Sequence, residues 1–360
     1  MKEFESGTKI VCGAGAVQAL KGVNAGKLLV VTDSYFAKNG TAQKIAAAAG
    51  AEQVEIFDRV APDPSVALVA EGTAVVKDFC PDVMVALGGG SAMDCAKAML
   101  YFAGGSIRLV AIPTTSGSGS EVTDFAILTH ENVKHPLIDG KLRPEMAILD
   151  EELVAELPPG LVADGGFDVL SHALEALAAK NASPITDALA KDAFCAAFSA
   201  LPASFAGNLA ARGKVHMAAT MAGMAFTQAG LGICHALSHS LGGMFHIPHG
   251  RLNAILLPSV VSCNAAAAGE KYAALARAAG LGGSVEVIAV RNLKNALIRL
   301  RRELKLPETL AQAGVSPEEV MRSAGQIVEA ALKDPCCRTN PLPAEEKMLR
   351  KILDEVTGRG

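Results

Sequence analysis

The feature that most constrains the fold of this chain is a change of period near residue 150. Upstream, short β-rich apolar runs alternate with alanine-rich stretches; residues 27–32, 53–57, 83–87 and 109–113 suit strands buried on one or both faces. Strands that alternate with helices argue for an α/β layer, a parallel sheet with crossover helices. Downstream the strands stop, and long Ala/Leu/Met segments such as 187–199 and 214–227 carry helical periodicity instead. A chain of 360 residues is longer than one core usually fills, so two domains are expected. The rigid sequence Leu157-Pro158-Pro159-Gly160, which a continuous helix cannot cross, sets the boundary: a Rossmann-like α/β domain over 1–157 and an all-helical domain over 158–360.

Inside the first domain two loops carry chemistry. Gly88-Gly89-Gly90-Ser91 lies between a strand and the helical stretch that starts at Ala92. Glycines there let the backbone approach a pyrophosphate, whose charge the amides and dipole of the next helix stabilise. A plain strand-to-helix turn needs one glycine and has no use for three. The segment from Pro113 to Glu121 follows the next strand and supplies five hydroxyls spaced by glycines, suited to ribose and phosphate contacts. Both loops fall at strand carboxyl ends, where open α/β sheets bind ligands. Asp33, after the strand ending at Thr32, is placed to accept from an adenosine ribose and to repel a 2′-phosphate, which favours NAD over NADP; a helix N-cap would suit the same position. Gly13-Ala14-Gly15 imitates a dinucleotide fingerprint but lacks the third glycine and a strong strand before it, so it reads as a decoy.

The second domain concentrates histidine. Six of the eight lie between residues 172 and 249, four of them from 235 to 249. Asp168 and His172 stand at i and i+4, on one helix face, and His235 and His239 repeat that spacing. His249 follows on the rigid Ile247-Pro248 turn. One carboxylate oxygen and three imidazoles from this set make a four-ligand shell for Fe²⁺ or Zn²⁺, with coordination left open for a substrate. A lone histidine is more often a satisfied core or capping residue; the set is not explained that way. His130 and His135 stand apart and read as structural.

Composition narrows the partners. Charged residues make up 19% and the net charge is −4, which gives no general attraction to nucleic acid or an acidic membrane surface. The first five residues lack the apolar core of a signal peptide, and no apolar run reaches about 20 residues. A soluble, cytoplasmic protein is expected. Eight cysteines without a C-x-x-C pair read as reduced, mostly buried thiols.

Taken together, Gly88–Ser91 with Asp94 and Lys97, Pro113 to Thr123, Ala147-Ile148-Leu149-Asp150, Gly166 to Glu175 and Gly232 to Gly250 resemble the iron-containing, or group III, alcohol dehydrogenase family along nearly the whole chain. The resemblance implies the dehydroquinate-synthase-like architecture of a nucleotide-binding domain and a helical domain, with the active site in the cleft between them. It implies Asp168, His172, His235 and His249 as metal ligands, with His239 lining the site either as a support to the ligands or as a proton relay, the proton leaving through His239 or through cofactor ribose hydroxyls and water. It implies Asp33, Gly89, Gly90, Ser91, Asp94, Thr114, Thr115, Ser118 and Lys134 as the cofactor set. Fe²⁺ is the implied metal, with Zn²⁺ the other candidate, and NAD the cofactor. The expected substrate is a short-chain primary alcohol or its aldehyde, as in the propanol dehydrogenases of bacterial microcompartments. The start near Phe4 leaves no evident added targeting helix, and a homo-oligomer is expected. Arg251 and Phe167 depart from the residues many relatives carry; Arg251 would alter either the pocket or a local salt bridge. Three other readings compete: a polyol (glycerol or propanediol) dehydrogenase, an NAD- and metal-dependent lyase like dehydroquinate synthase, and an inert scaffold. The lyase would need several cations for a phosphorylated substrate, and Arg251 is the one basic residue from 235 to 251. A scaffold would be expected to have lost a ligand or a glycine.

Overall fold

The computed structural model describes residues 3–131 and 133–358. The chain forms two compact units, one over Glu5–Leu157 and one beginning at Pro158.

The first unit contains strands β1 (Lys9–Cys12), β2 (Lys27–Asp33), β3 (Gln53–Val60), β4 (Val83–Gly88), β5 (Arg108–Pro113), β6 (Phe125–His130), β7 (Val133–Ile138) and β8 (Met146–Leu149). Helices α1 (Ser34–Lys38), α2 (Thr41–Ala49), α3 (Val66–Phe79) and α4 (Gly90–Ala103) connect them. Six strands form one parallel sheet in the order β1-β8-β5-β4-β2-β3, while β6 and β7 pair antiparallel as a separate ribbon. The strand period of two sorts side chains into two cores. Leu29, Val31, Met84 and Ala86 join α3 and α4 residues on one face, and Leu28, Val30, Val83 and Val85 join α2 residues on the other. The chain runs outward from β2 to β3 and then returns to β4 on the other side of β2. That reversal opens the sheet's switch point at the carboxyl ends of β2 and β4.

The second unit is helical: α5 (Pro159–Ala178), α6 (Pro184–Phe205), α7 (Leu209–Ala229), α8 (Ile233–Phe245), α9 (His249–Ala278), α10 (Glu286–Glu303), α11 (Pro317–Lys333), α12 (Cys336–Thr339) and α13 (Glu346–Thr357). Helix α5 starts with Pro159 in its first turn and is buried from Val162 to Ala178 at nearly every position. It lies so close to α9 that a Cβ on Gly250 would run into the Asp164 carbonyl, so only glycine permits the approach. By length and apolarity α9 would suffice to cross a membrane, but 67% of that stretch is buried inside the protein, as in a core helix. Pro258 inside α9 cannot donate to the Ala254 carbonyl, and the buried Arg301 of α10 donates to that carbonyl and to Ile255 instead, at 3.2 and 3.4 Å.

Several expectations change. The four runs marked by sequence are β2 to β5, and four further strands escape that pattern. The run before Gly13 is a real edge strand, β1, paired with β8; its glycine turn donates Gly15 and Val17 amides to Asp150 at 3.2 and 3.0 Å. The thiols are not mostly buried: Cys95, Cys234 and Cys337 are, whereas Cys12 and Cys80 are exposed and the rest intermediate. His249 is the first residue of α9, not part of a turn, with Pro248 as its N-cap.

Candidate functional site

At the sheet's switch point, Gly89 is the N-cap of α4 and Gly90 its first residue. The first-turn amides of such a helix have no acceptor within it and face outward. The β5 loop crosses directly over them: a Cβ at Gly89 would lie 3.1 Å from the Thr115 hydroxyl, and one at Gly90 3.2 Å from Ser118. The two loops therefore make one cradle, with Ser91, Thr115 and Ser118 partly exposed and Thr114 buried at 2%. The cradle is held from beneath. Lys97 is fully buried, and its ammonium donates to the Ser120 hydroxyl, the Thr123 carbonyl and hydroxyl, and the Phe125 carbonyl, all within 2.9–3.0 Å. Burial brings its pKa down to about 8, opposed by the nearby Asp94, Glu121 and Asp124. Burial likewise raises Asp94 to about 6, against Lys97 and a 2.9 Å hydrogen bond from Ser120.

Asp33 takes the N-cap position at the end of β2: Oδ1 accepts from the Tyr35 and Phe36 amides at 2.9 and 3.2 Å. The capping role is thus real, and it occupies the oxygen Oδ1. Lys134, on the β6–β7 ribbon, pairs with Asp63 at 2.8 Å and is felt electrostatically by Asp94. His130 and His135 sit on the same ribbon, beside a shallow apolar hollow.

In the helical unit, α5, α8 and α9 bring the proposed ligands together. Three imidazole Nε2 atoms surround one carboxylate oxygen, Asp168 Oδ1: His249 at 3.5 Å, His172 at 3.8 Å and His235 at 3.8 Å. Ligands about 2.1 Å from one tetrahedral ion lie roughly 3.4 Å apart, so each imidazole stands from Asp168 Oδ1 at nearly the distance found within a coordination shell. The amide nitrogen of Asn253 points at the same place, 2.8 Å from Asp168 Oδ1, 3.3 Å from His249 Nε2 and 3.5 Å from His235 Nε2. Donor atoms of Asp168, His235 and His249 all lie within 4.8 Å of one another. The residues fit a divalent cation.

Neighbours hold these ligands in position. Glu175, one turn beyond His172 on α5, is 3% exposed and accepts from His235 Nδ1 at 2.6 Å, which turns His235 Nε2 toward Asp168. It also accepts from the Gly232 and Cys234 amides at 3.0 and 2.7 Å, satisfying the N-terminus of α8. Asn253 completes the net by accepting from the buried Ser238 hydroxyl. The His172 ring stacks between Phe226 and His235, with centroids 4.3 and 4.5 Å away. Burial raises the Asp168 carboxyl, but His172, His249 and His235 outweigh it and hold the group well below the usual carboxylate range. Burial opposes charge on His235, yet Asp168 and Glu175 raise its pKa to about 9.

His239 lies beside the ligands, its ring stacked on His249 at 5.2 Å, and its Nδ1 is 2.8 Å from Asp334 Oδ2. Arg251 forms a two-point ion pair with Asp164, at 3.2 and 3.0 Å, so the departure at 251 is a local salt bridge. Sequence reasoning names Glu175 and Lys97 only as motif members and does not reach Ser238, Asn253 or Asp334. Glu175 is detectable in retrospect, since 168, 172 and 175 share a helix face, and Asn253 stands four residues after His249.

Two family models cover the chain: "Iron-containing alcohol dehydrogenase" over residues 7–151 and "Fe-containing alcohol dehydrogenase family, C-terminal" over 162–357. It is 39% identical to the 1-propanol dehydrogenase PduQ of Salmonella typhimurium, across 99% of this chain and 100% of that protein. It is 35% identical to the NADPH-dependent butanol dehydrogenase of Clostridium saccharobutylicum, across 98% and 97%. Its fold superposes with a TM-score of 0.90 on sulfoacetaldehyde reductase from Bifidobacterium kashiwanohense in complex with NAD⁺, 27% identical, with 100% of each chain covered.

Proposed function

The chain belongs to the iron-containing alcohol dehydrogenase family, and from that premise we propose that it interconverts short-chain primary alcohols such as propanol with their aldehydes, using NAD(H) and a metal ion held by Asp168, His172, His235 and His249. The observation that carries the reading is the convergence of three Nε2 atoms on Asp168 Oδ1 at 3.5–3.8 Å. When bound, the metal supplies Lewis acidity toward the substrate oxygen and the nicotinamide supplies the hydride acceptor.

The chain's own residues do the rest. Asp168 is ionised at neutral pH and contributes the negative charge that a cation needs. Glu175 fixes the His235 ring so that Nε2, not Nδ1, faces the cation. His239 takes up the hydroxyl proton on oxidation and returns it on reduction. In the other unit the cradle of Gly89, Gly90, Ser91, Thr114, Thr115 and Ser118 receives the pyrophosphate and adjacent ribose. Asp94 and Lys134 support its flank. Asp33, whose carboxylate would lie against a 2′-phosphate, favours NAD over NADP. Iron is favoured over zinc by family membership alone, because imidazole suits both.

The lyase reading loses the one Lys or Arg of residues 235–251, since Arg251 is paired with Asp164. Polyols remain a second substrate class, and the test separates them. The protein is stripped and reloaded anaerobically with Fe²⁺ or Zn²⁺, and nicotinamide absorbance is followed with propanal, a propanediol aldehyde analogue, and glycerol or propanediol in reverse. Fastest turnover with propanal and NADH supports the proposal. Preference for the diols moves the substrate class, preference for NADPH overturns the role of Asp33, and no turnover with either metal overturns the reading.

A further inference from the structure

Nothing in the sequence links residue 334 to the histidine cluster, yet the fold brings it there. Asp334 is the C-cap of α11, 15% exposed at its side chain, and its Oδ2 meets His239 Nδ1 at 2.8 Å. Its other oxygen, Oδ1, accepts from the Cys336 amide at 2.8 Å, so the carboxylate is held from two sides. Burial raises its pKa, but His239 and the Cys336 amide prevail and bring it to about 2. The segment after it is tied to the start of α8. The Thr339 hydroxyl donates to the Leu231 carbonyl at 2.7 Å, and Asn340 accepts from the Ile233 amide at 3.3 Å. Residues 334–340 thus run along the element that carries both His235 and His239.

We propose that Asp334 is a positioning residue for the dehydrogenase reaction: by accepting from Nδ1–H it holds neutral His239 in the tautomer whose Nε2 lone pair receives the substrate hydroxyl proton. This rests on the reading of His239 as the proton-exchanging group. A neutral imidazole carries one ring proton, and an ionised carboxylate at Nδ1 requires that proton there. Without it the ring is free to present Nε2–H, which donates and cannot accept. The carboxylate also stabilises the imidazolium formed once the proton has moved, and on aldehyde reduction that imidazolium returns the proton from Nε2 with the same geometry.

The test uses the full metal-loaded chain and three variants: Asp334→Asn, Asp334→Glu and His239→Gln. Four quantities are compared: the single-turnover rate of aldehyde reduction by NADH, the KM for each substrate, bound metal, and the ¹⁵N resonances of His239 in histidine-labelled protein. In Asp334→Asn the single-turnover rate should fall about 10²- to 10³-fold. Its KM values and metal content should hold, and the His239 ring signal should move toward the Nε2–H tautomer. Asp334→Glu should recover part of the rate. An unchanged rate in Asp334→Asn while His239→Gln is slow would overturn the positioning role alone. A full rate in His239→Gln would overturn the reading of His239 itself. Loss of metal in step with rate in Asp334→Asn would also overturn the proposal, showing a structural role instead.

Discussion

The proposed cofactor cradle and the proposed metal cluster would bind a charged group by different means. The cradle is built from backbone and short hydroxyls, and its parts lie within residues 88–123 on two adjacent strand ends. The cluster is built from side chains drawn from α5, α8 and α9, and two of them, Asp168 and His235, are aimed by a further buried partner, Asn253 and Glu175. A cradle of this kind follows from local chain geometry, so short sequence patterns reveal it. The cluster follows from helix packing, and its precision resides in residues such as Glu175 and Asn253 that are not ligands.

If that contrast holds, damage beneath each site should stay with it. The largest effect is expected from Glu175→Ala, which leaves three backbone amides and His235 facing a void; breaking a buried charged pair costs about 3–5 kcal/mol. Chemical denaturation should show that loss, and chelator competition with Glu175→Gln should show metal affinity about 10- to 100-fold weaker, with KM for NADH unchanged. A rise in that KM would break the separation.

Lys97→Met tests the other side with a smaller effect. It deprives the Ser120, Thr123 and Phe125 acceptors of their donor, at about 1–3 kcal/mol for buried polar groups left unpaired. Melting should fall and KM for NADH should rise, while bound metal per chain stays the same. Metal loss in Lys97→Met would show that the two sites are not independent.

The smallest expected effect is one of pH and belongs to the metal cluster alone. The folded pKa of His235 is raised to about 9 from an ordinary 6.5. The stabilisation that protonated His235 gives the metal-free protein is therefore complete below about 6.5 and is lost as pH rises through 9. A cation must displace that proton, so metal affinity should climb about tenfold per pH unit from 7 toward 9, with close to one proton released. Titration calorimetry in buffers of different ionisation enthalpy measures the release; none at pH 7.5 would contradict the pKa.

How much was legible in the sequence follows the same contrast. β2, β4 and β5 are continuous apolar runs and β3 alternates apolar with polar residues at its start, so all four are readable, as are both glycine loops. β1 and β8 have four residues each, too short for a period to establish itself, and β6 and β7 mix apolar residues with histidine, lysine and proline. In the cluster, Asp168, His172, His235 and His239 are marked by residue type and helical spacing, and His249 by residue type and its place after Ile247-Pro248. Asp334 is not, because a carboxylate 95 residues beyond His239 meets it only through packing of α11 against α8. Asp33 shows the converse: the N-cap role was readable, and the structure displays it without excluding the ribose role.

The most direct test of the central claim measures two quantities in the same samples: metal bound per chain under anaerobic conditions and hydride transfer to propanal, for the wild-type chain and for Asp168→Ala, His172→Ala, His235→Ala and His249→Ala. The predicted result is one metal per wild-type chain, and in every variant a joint loss of metal and turnover with NADH binding intact. A variant that sheds its metal yet still reduces propanal, or four variants that all keep the metal, would contradict the assignment of this cluster as the catalytic centre.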